Sequence, residues 1–208
     1  MSKSNKYGYS GVDIPTQAFK ANVGKFDPDE INELVAEGKW TTFGQLELIQ
    51  TQSVSSAVCD FTSLGDYDIH FLTFFDIEVT TQTEFGYRLS DDGGTTYETG
   101  YQFANQRGKA SNSFQERKST GQDSARLCGD ITTASTSRAS GYVYFYNLGD
   151  SAKYSFSTSH TTFMEGTTQA FEFGSQCYAT ASTINGIRFG EATGVTAITT
   201  GTFSLYGI

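Results

Sequence analysis

Apolar residues recur along this chain with two different spacings, and the change of spacing divides it. Between Phe26 and Trp40 the spacing is helical, with Ile31, Leu34 and Val35 on one face. Asp27 suits the N-cap, because its carboxylate accepts a bond from an otherwise unpaired N–H of the first turn. Pro28 follows at the first helical position, where its fixed φ fits and no N–H is needed. Glu30 completes a capping-box pattern with Asp27, and Phe26 and Ile31 have the spacing of a hydrophobic staple. Gly38 supplies a left-handed stop. These signals predict one short capped helix within 26–39.

From Gln45 the period becomes 2. Leu46, Leu48 and Gln50 alternate with Glu47 and Ile49, and Ser53–Phe61 follows as a second short strand. After a turn at Leu64-Gly65-Asp66 comes the longest run, Tyr67–Thr80. There Tyr67, Ile69, Phe71 and Thr73 alternate with Asp68, His70, Leu72 and Phe74. The phase switches at Phe74-Phe75, which a bulge explains as well as an apolar residue on each face. Glu84–Ser90 is the next strand. Asp91-Asp92-Gly93-Gly94 reads as a turn with Thr95–Phe103 as the returning partner of a hairpin. Residues 104–140 are poorly patterned and read as long loops with one or two weak strands. Strands resume at Gly141–Asn147, Lys153–His160, Gln169–Thr180, Ile184–Phe189 and Val195–Tyr206. No interval holds a crossover helix, so the expectation is an all-β, antiparallel, jelly-roll-like sandwich of about eight to ten strands over 40–208.

Residues 1–25 follow neither period. Gly8, Gly11, Pro15 and Gly24 interrupt them, yet Tyr7, Tyr9, Val12, Ile14 and Phe19 are scattered through. Burying each such side chain yields ~1.5–3 kcal/mol, while ordering the backbone costs ~1–2 kcal/mol per residue. Such a segment gains order only against a prepared surface. The expectation is an extended arm that docks on another protein or on a neighbouring copy, with Tyr7, Tyr9, Ile14 and Phe19 as anchors.

Composition supports strands. The 208 residues are 37% apolar and include 17 Phe and 12 Tyr, enough large rings to build a core. Fourteen basic against 23 acidic residues leave a net charge of −9. That excess argues against nucleic acid and against an anionic membrane surface as partners. Cys59, Cys128 and Cys177 are widely spaced and form no Cys-x-x-Cys, so they read as reduced core or edge residues. The first residues lack the apolar core of a signal peptide, and no run approaches the length of a membrane span.

Candidate chemistry is sparse, and no cofactor or metal is expected. The two histidines are His70, within the longest strand, and His160; a lone strand histidine is an ordinary structural residue. Gly8-Tyr9-Ser10-Gly11 has the wrong spacing for a nucleophile elbow. The pairs Asp66/Asp68 and Asp76/Glu78 have the residue type glycoside hydrolysis uses, but nothing beside them would raise one pKa selectively. Asp91-Asp92 is accounted for by its turn. Arg107, Lys109, Arg117, Lys118 and Arg126 form a basic cluster in the poorly patterned stretch. Tyr142, Tyr144 and Tyr146 share one face of a strand whose other face carries Val143 and Phe145. One of these faces is core, and the tyrosine face is a candidate interface or sugar-stacking platform.

Several segments together carry a family likeness. They are Leu46-Glu47-Leu48-Ile49-Gln50-Thr51-Gln52 after Trp40, and Asp60-Phe61-Thr62-Ser63-Leu64 running into Tyr67. Arg88-Leu89-Ser90-Asp91-Asp92-Gly93-Gly94-Thr95-Thr96-Tyr97 follows, then Ile184-Asn185-Gly186-Ile187-Arg188-Phe189. Last is the ending Gly201-Thr202-Phe203-Ser204-Leu205-Tyr206-Gly207-Ile208. In this order the chain resembles virion structural proteins of tailed bacteriophages, especially marine ones. The resemblance implies a jelly-roll building block made in the host cytoplasm and carried on the virion. Its places would be capsid decoration, head fibre or tail fibre module, among other virion proteins and commonly as a homotrimer. It supplies no catalytic residues. The alternative is an adhesin that binds a host-surface glycan through the 104–140 loops, near Tyr101, Phe103 and Phe114. The structural reading expects no concave site.

Overall fold

The computed structural model describes residues 28–36, 46–55, 57–82, 84–111, 114–190 and 197–208. The chain divides into two units, 1–45 and 46–208. In the first, helix α1 spans Pro28–Ala36, so the helix starts at the proline that the capping pattern places first. Asp27, Phe26, Gly38, Trp40 and the arm anchors Tyr7, Tyr9, Ile14 and Phe19 lie outside the described residues.

The second unit is built of strands, where the base expectation of a β-sandwich holds. They are β1 Glu47–Val54, β2 Val58–Phe61, β3 Ile69–Val79, β4 Phe85–Ser90, β5 Tyr101–Lys109 and β6 Phe114–Gln122, followed by β7 Ala125–Cys128, β8 Ala139–Tyr146, β9 Ser155–Glu165, β10 Thr168–Tyr178, β11 Gly186–Gly190 and β12 Ile198–Gly207. They form an eight-stranded sheet, β1-β12-β3-β8-β9-β10-β5-β6, and a four-stranded sheet, β2-β11-β4-β7. Every pairing is antiparallel.

The pairing scheme is that of a rolled ribbon. β1 pairs with β12 in one sheet, and the next strands inward along the chain, β2 and β11, pair in the other. β3 with β8 and β4 with β7 repeat the alternation. This is the jelly-roll arrangement. Two hairpins are added to it: β9-β10 after β8, and β5-β6 after β4. Both extend the same sheet, which is why it is twice as wide as its partner.

The core lies between the jelly-roll strands, with linked phenylalanines among leucine, isoleucine and valine. Phe74, Phe85, Phe189 and Phe203 are fully buried, with ring centroids of successive pairs 5.4, 6.3 and 5.2 Å apart. Tyr87 and Phe145 join at 5.0 Å.

Three expectations need correction. Thr95–Phe103 is not the hairpin partner of β4. Residues 95–100 form no strand, β4 pairs with β11 and β7, and β5 begins at Tyr101 in the opposite sheet. The turn is real but local. Tyr101 turns its hydroxyl back to accept the Leu89 N–H at 2.6 Å, and β5 carries on to β10. Second, residues 104–140 hold most of β5 and all of β6 and β7. Their pattern is faint because β5 turns Asn105 and Arg107 inward and β6 is an exposed edge. Third, Ser53–Phe61 is not one strand; it divides between β1 and β2. At the phase switch in β3 both explanations apply. Phe74 is buried and Phe75 is exposed, and the register slips between Phe74 and Ile77, where Asp76 takes φ 59°.

Phe189 touches Phe61, Phe85, Tyr87 and Phe203. Phe189→Ala is therefore expected to destabilise the β unit by about 3–5 kcal/mol, read as a lower urea midpoint with an unchanged slope.

Candidate interaction surfaces

The outward side of the eight-stranded sheet is aromatic over most of its width. The register aligns Tyr206, Phe71, Tyr144, Thr158, Ser175 and Ala104 across β12, β3, β8, β9, β10 and β5. The neighbouring row aligns Thr73, Tyr142, His160, Phe173 and Gln106. Rings touch from strand to strand. Phe71 lies 6.0 Å from Tyr206 and 4.5 Å from Tyr144; His160 lies 6.0 Å from Tyr142 and 6.2 Å from Phe173. Phe171 stacks on Phe173 at 6.1 Å, and Phe114 of β6 reaches Phe171 at 6.5 Å. Phe75 is 66% and Phe114 72% exposed. Charged side chains sit only at the margins and are paired: Glu116 with Lys118 on β6, and Asp76 and Glu78 with Arg138 past the bulge.

Alternation groups Tyr142, Tyr144 and Tyr146 on one face, and burial shows that face to be outward, with Val143 and Phe145 in the core. The structure joins to them Phe71, His160 and Phe173 from adjacent strands. Sequence reasoning missed these because which rings meet depends on register between strands far apart in the chain. Where small side chains at Ala104, Thr158 and Ser175 lie among rings, the face is hollow. One hollow of about 700 Å³ is lined by Tyr142, Tyr144, Tyr146, Thr158, His160 and Phe173. It adjoins one of about 490 Å³ bordered by Gln102, Phe156 and Cys177, and one of about 420 Å³ bordered by Phe75 and Thr162. All three are shallow and open to solvent. Tyr101 and Phe103, expected near an external site, are buried on the inward side.

The inward side of the added strands is polar. Gln176 receives a bond from Ser157 at 2.5 Å and donates to Ser159 at 3.0 Å and Asn105 at 3.1 Å. Asn105 donates to Glu172 at 2.8 Å and to the Arg126 carbonyl at 3.1 Å. The basic cluster is spent here as well. Arg107 and Arg117 reach Asp130 at 2.8 and 3.5 Å, Arg107 and Lys109 meet Glu165, and Arg126 meets Glu84. These cations tie strands together rather than forming a free basic patch.

The remaining candidates are likewise engaged. His70 is buried and donates from Nε2 to the Leu64 carbonyl at 2.9 Å, and burial holds its pKa below the ordinary value. Burial, aided by Asp60, pushes the Cys59 thiol up to about 12, and burial also raises Cys128 and Cys177. Among the described residues no cluster of His, Cys, Asp and Glu could hold a metal ion.

Three of the segments that carried the likeness, Asp60–Leu64, Arg88–Tyr97 and Ile184–Phe189, meet on the small sheet, while the other two form most of β1 and β12 in the large one. Asp60, Arg188 and Arg88 are aligned across β2, β11 and β4. Arg188 grips Asp60 through two bonds of 2.7 and 2.6 Å and lies 4.1 Å over the Tyr97 ring. Asn185 holds the turn by accepting the Gly93 N–H at 2.7 Å and donating to the Asp91 carbonyl at 3.0 Å.

Within that turn Asp92 accepts bonds from the Thr96 N–H, the Thr96 hydroxyl and the Ser90 hydroxyl at 2.8, 2.7 and 2.8 Å. They pull its pKa down from 3.8 to about 2. Because the folded value lies below the unfolded one, the stabilisation is present above about pH 4 and is lost as pH falls toward 2. A carbon-13 titration of the Asp92 carboxyl is expected to give an apparent pKa near 2, rising only part of the way to the ordinary range in Thr96→Val together with Ser90→Ala, because the Thr96 N–H bond remains. No family model, no curated protein and no solved structure matches the chain.

Proposed function

We propose that this chain is a non-enzymatic structural component of a tailed-phage virion, a capsid decoration, head fibre or tail fibre module. It self-associates through its β unit as a homotrimer and docks on other virion proteins through the arm at residues 1–25. The observation that carries the reading is the open edge at β1. This strand pairs with β12, and among the described residues no strand pairs with its other side. Unused edges are normally guarded by lysine, proline, a bulge or a cover, because free N–H and C=O groups recruit another strand. The opposite edge, β6, carries Glu116, Arg117 and Lys118. β1 has no lysine, arginine or proline. Its register slips between Leu48 and Gln50, yet Leu48 there is 56% exposed, with Leu46 and Ile208 also exposed. Two chains of net charge −9 repel at a distance, so their contact has to be short-range, and an edge whose one charge is Glu47 at its end suits that.

The chemistry of the other candidates supports a role without catalysis. Acid–base work at neutral pH needs a group free to exchange protons, and nucleophilic attack by cysteine needs thiolate. His70 is held neutral by burial, the thiols are held protonated, and Asp76 and Glu78 share Arg138.

Leu48→Lys is expected to convert the trimer to monomer in sedimentation velocity, with the circular-dichroism spectrum unchanged because Leu48 is exposed in the single chain. A trimer that persists removes β1 from the interface. Deleting residues 1–25 is expected to leave the β fold and the oligomer intact while incorporation into particles falls; normal incorporation would end the docking-arm reading.

A further inference from the structure

We propose that the hollow between β8 and β5 on the outer face of the large sheet is a binding site for a neutral oligosaccharide. Its walls are rings: Tyr142, Tyr144 and Tyr146 on one side, Phe173 on the other, with His160 between. Its floor carries hydroxyls at Thr158 and Ser175. A pyranose presents apolar C–H faces and a rim of hydroxyls, and it is matched by flat apolar rings beside hydrogen-bonding groups. The three hollows are adjacent: the largest shares Ala104 and Ser175 with one neighbour, and Tyr142 and His160 with the other. A row of hollows of this kind suits several linked sugar units.

Other occupants fit less well. A peptide adding itself as a strand needs free backbone groups, but β8, β9, β10 and β5 are each paired on both sides. An acyl chain would offer the Ser175 hydroxyl of the floor no partner. A second copy placed face to face would set hollow against hollow. An acidic glycan would find no free cation, since Lys118, at the margin, is paired with Glu116. The rings are also preorganised. Phe71 backs Tyr144 at 4.5 Å, Phe171 backs Phe173 at 6.1 Å, and the Tyr146 hydroxyl is bonded to Thr158 at 3.2 Å. Little side-chain freedom remains to be lost on binding.

The site is separate from the β1 edge, so the two proposals fail independently. The test is calorimetric titration of the full chain with neutral cello-, malto- and chito-oligosaccharides, at low and high salt. At least one series is expected to bind, with affinity rising with chain length and indifferent to salt. Tyr142→Ala and Phe173→Ala change half-exposed residues (40% and 47%), so the core is untouched. Each is expected to weaken binding by about tenfold or more, the worth of one good aromatic contact, with an unchanged thermal midpoint. Leu48→Lys is expected to retain full affinity whatever it does to the oligomer. The proposal is overturned if no neutral series binds, if binding survives both ring substitutions, or if tyrosine nitration finds Tyr142 and Tyr144 shielded by a neighbouring copy.

Discussion

Eight strands face four in this sandwich, and most of what is unusual about the molecule follows from that mismatch. A sheet needs something against its inner side. The jelly-roll strands find it in the small sheet and meet through phenylalanine. The added strands meet short β7, the segment after it and Tyr87 of β4. Tyr101, Phe163, Ala170 and Tyr178 give some apolar contact there, and hydrogen bonds and ion pairs make the rest. Net hydrogen bonds contribute about 0.5–1.5 kcal/mol each, while an orphaned buried partner costs more. The network around Gln176 and Asn105 therefore sets register more than it adds stability.

The same mismatch turns the added strands inside out. β9 directs Ser155, Ser157, Ser159 and Thr161 inward, and Phe156 and His160 outward. β10 directs Glu172 and Gln176 inward and Phe171 and Phe173 outward. Rings that would ordinarily be core are left on a surface that carries little charge, and that surface is where a ligand with both apolar faces and hydroxyls would be at home.

These facts explain what could be read in the chain. The start of α1 was legible because Pro28 and its neighbours act locally. Strands β3, β8 and β12 were legible because their two faces differ in polarity. Period 2 says that a strand has two faces but not which one is inside, so Tyr142, Tyr144 and Tyr146 could be grouped while their partners on β3, β9 and β10 could not. The Asp91–Gly94 turn was legible as a turn. The strand that follows it was misassigned, because pairing partners are chosen by contacts from the far end of the chain. β7, four residues long, is too short to show a period. Asp60, Arg88, Tyr97, Asn185 and Arg188 are scattered along the chain, and only the fold shows why they belong together.

The rolled ribbon also fixes a sequence of events. Thr51 and Ser204 share a hydrogen bond across 153 positions of chain. As the polypeptide emerges from the ribosome, β1 appears long before its ladder partner. Until β12 is released, β1 is open on both sides, and β2 likewise awaits β11. Long-range closure of this kind is slow, and open strands are prone to pair wrongly. Nascent chains on neighbouring ribosomes would thus present unpaired strands to one another before any one of them is finished. Synthesis rate and chaperone supply, rather than final stability, would then limit the yield of properly closed subunits.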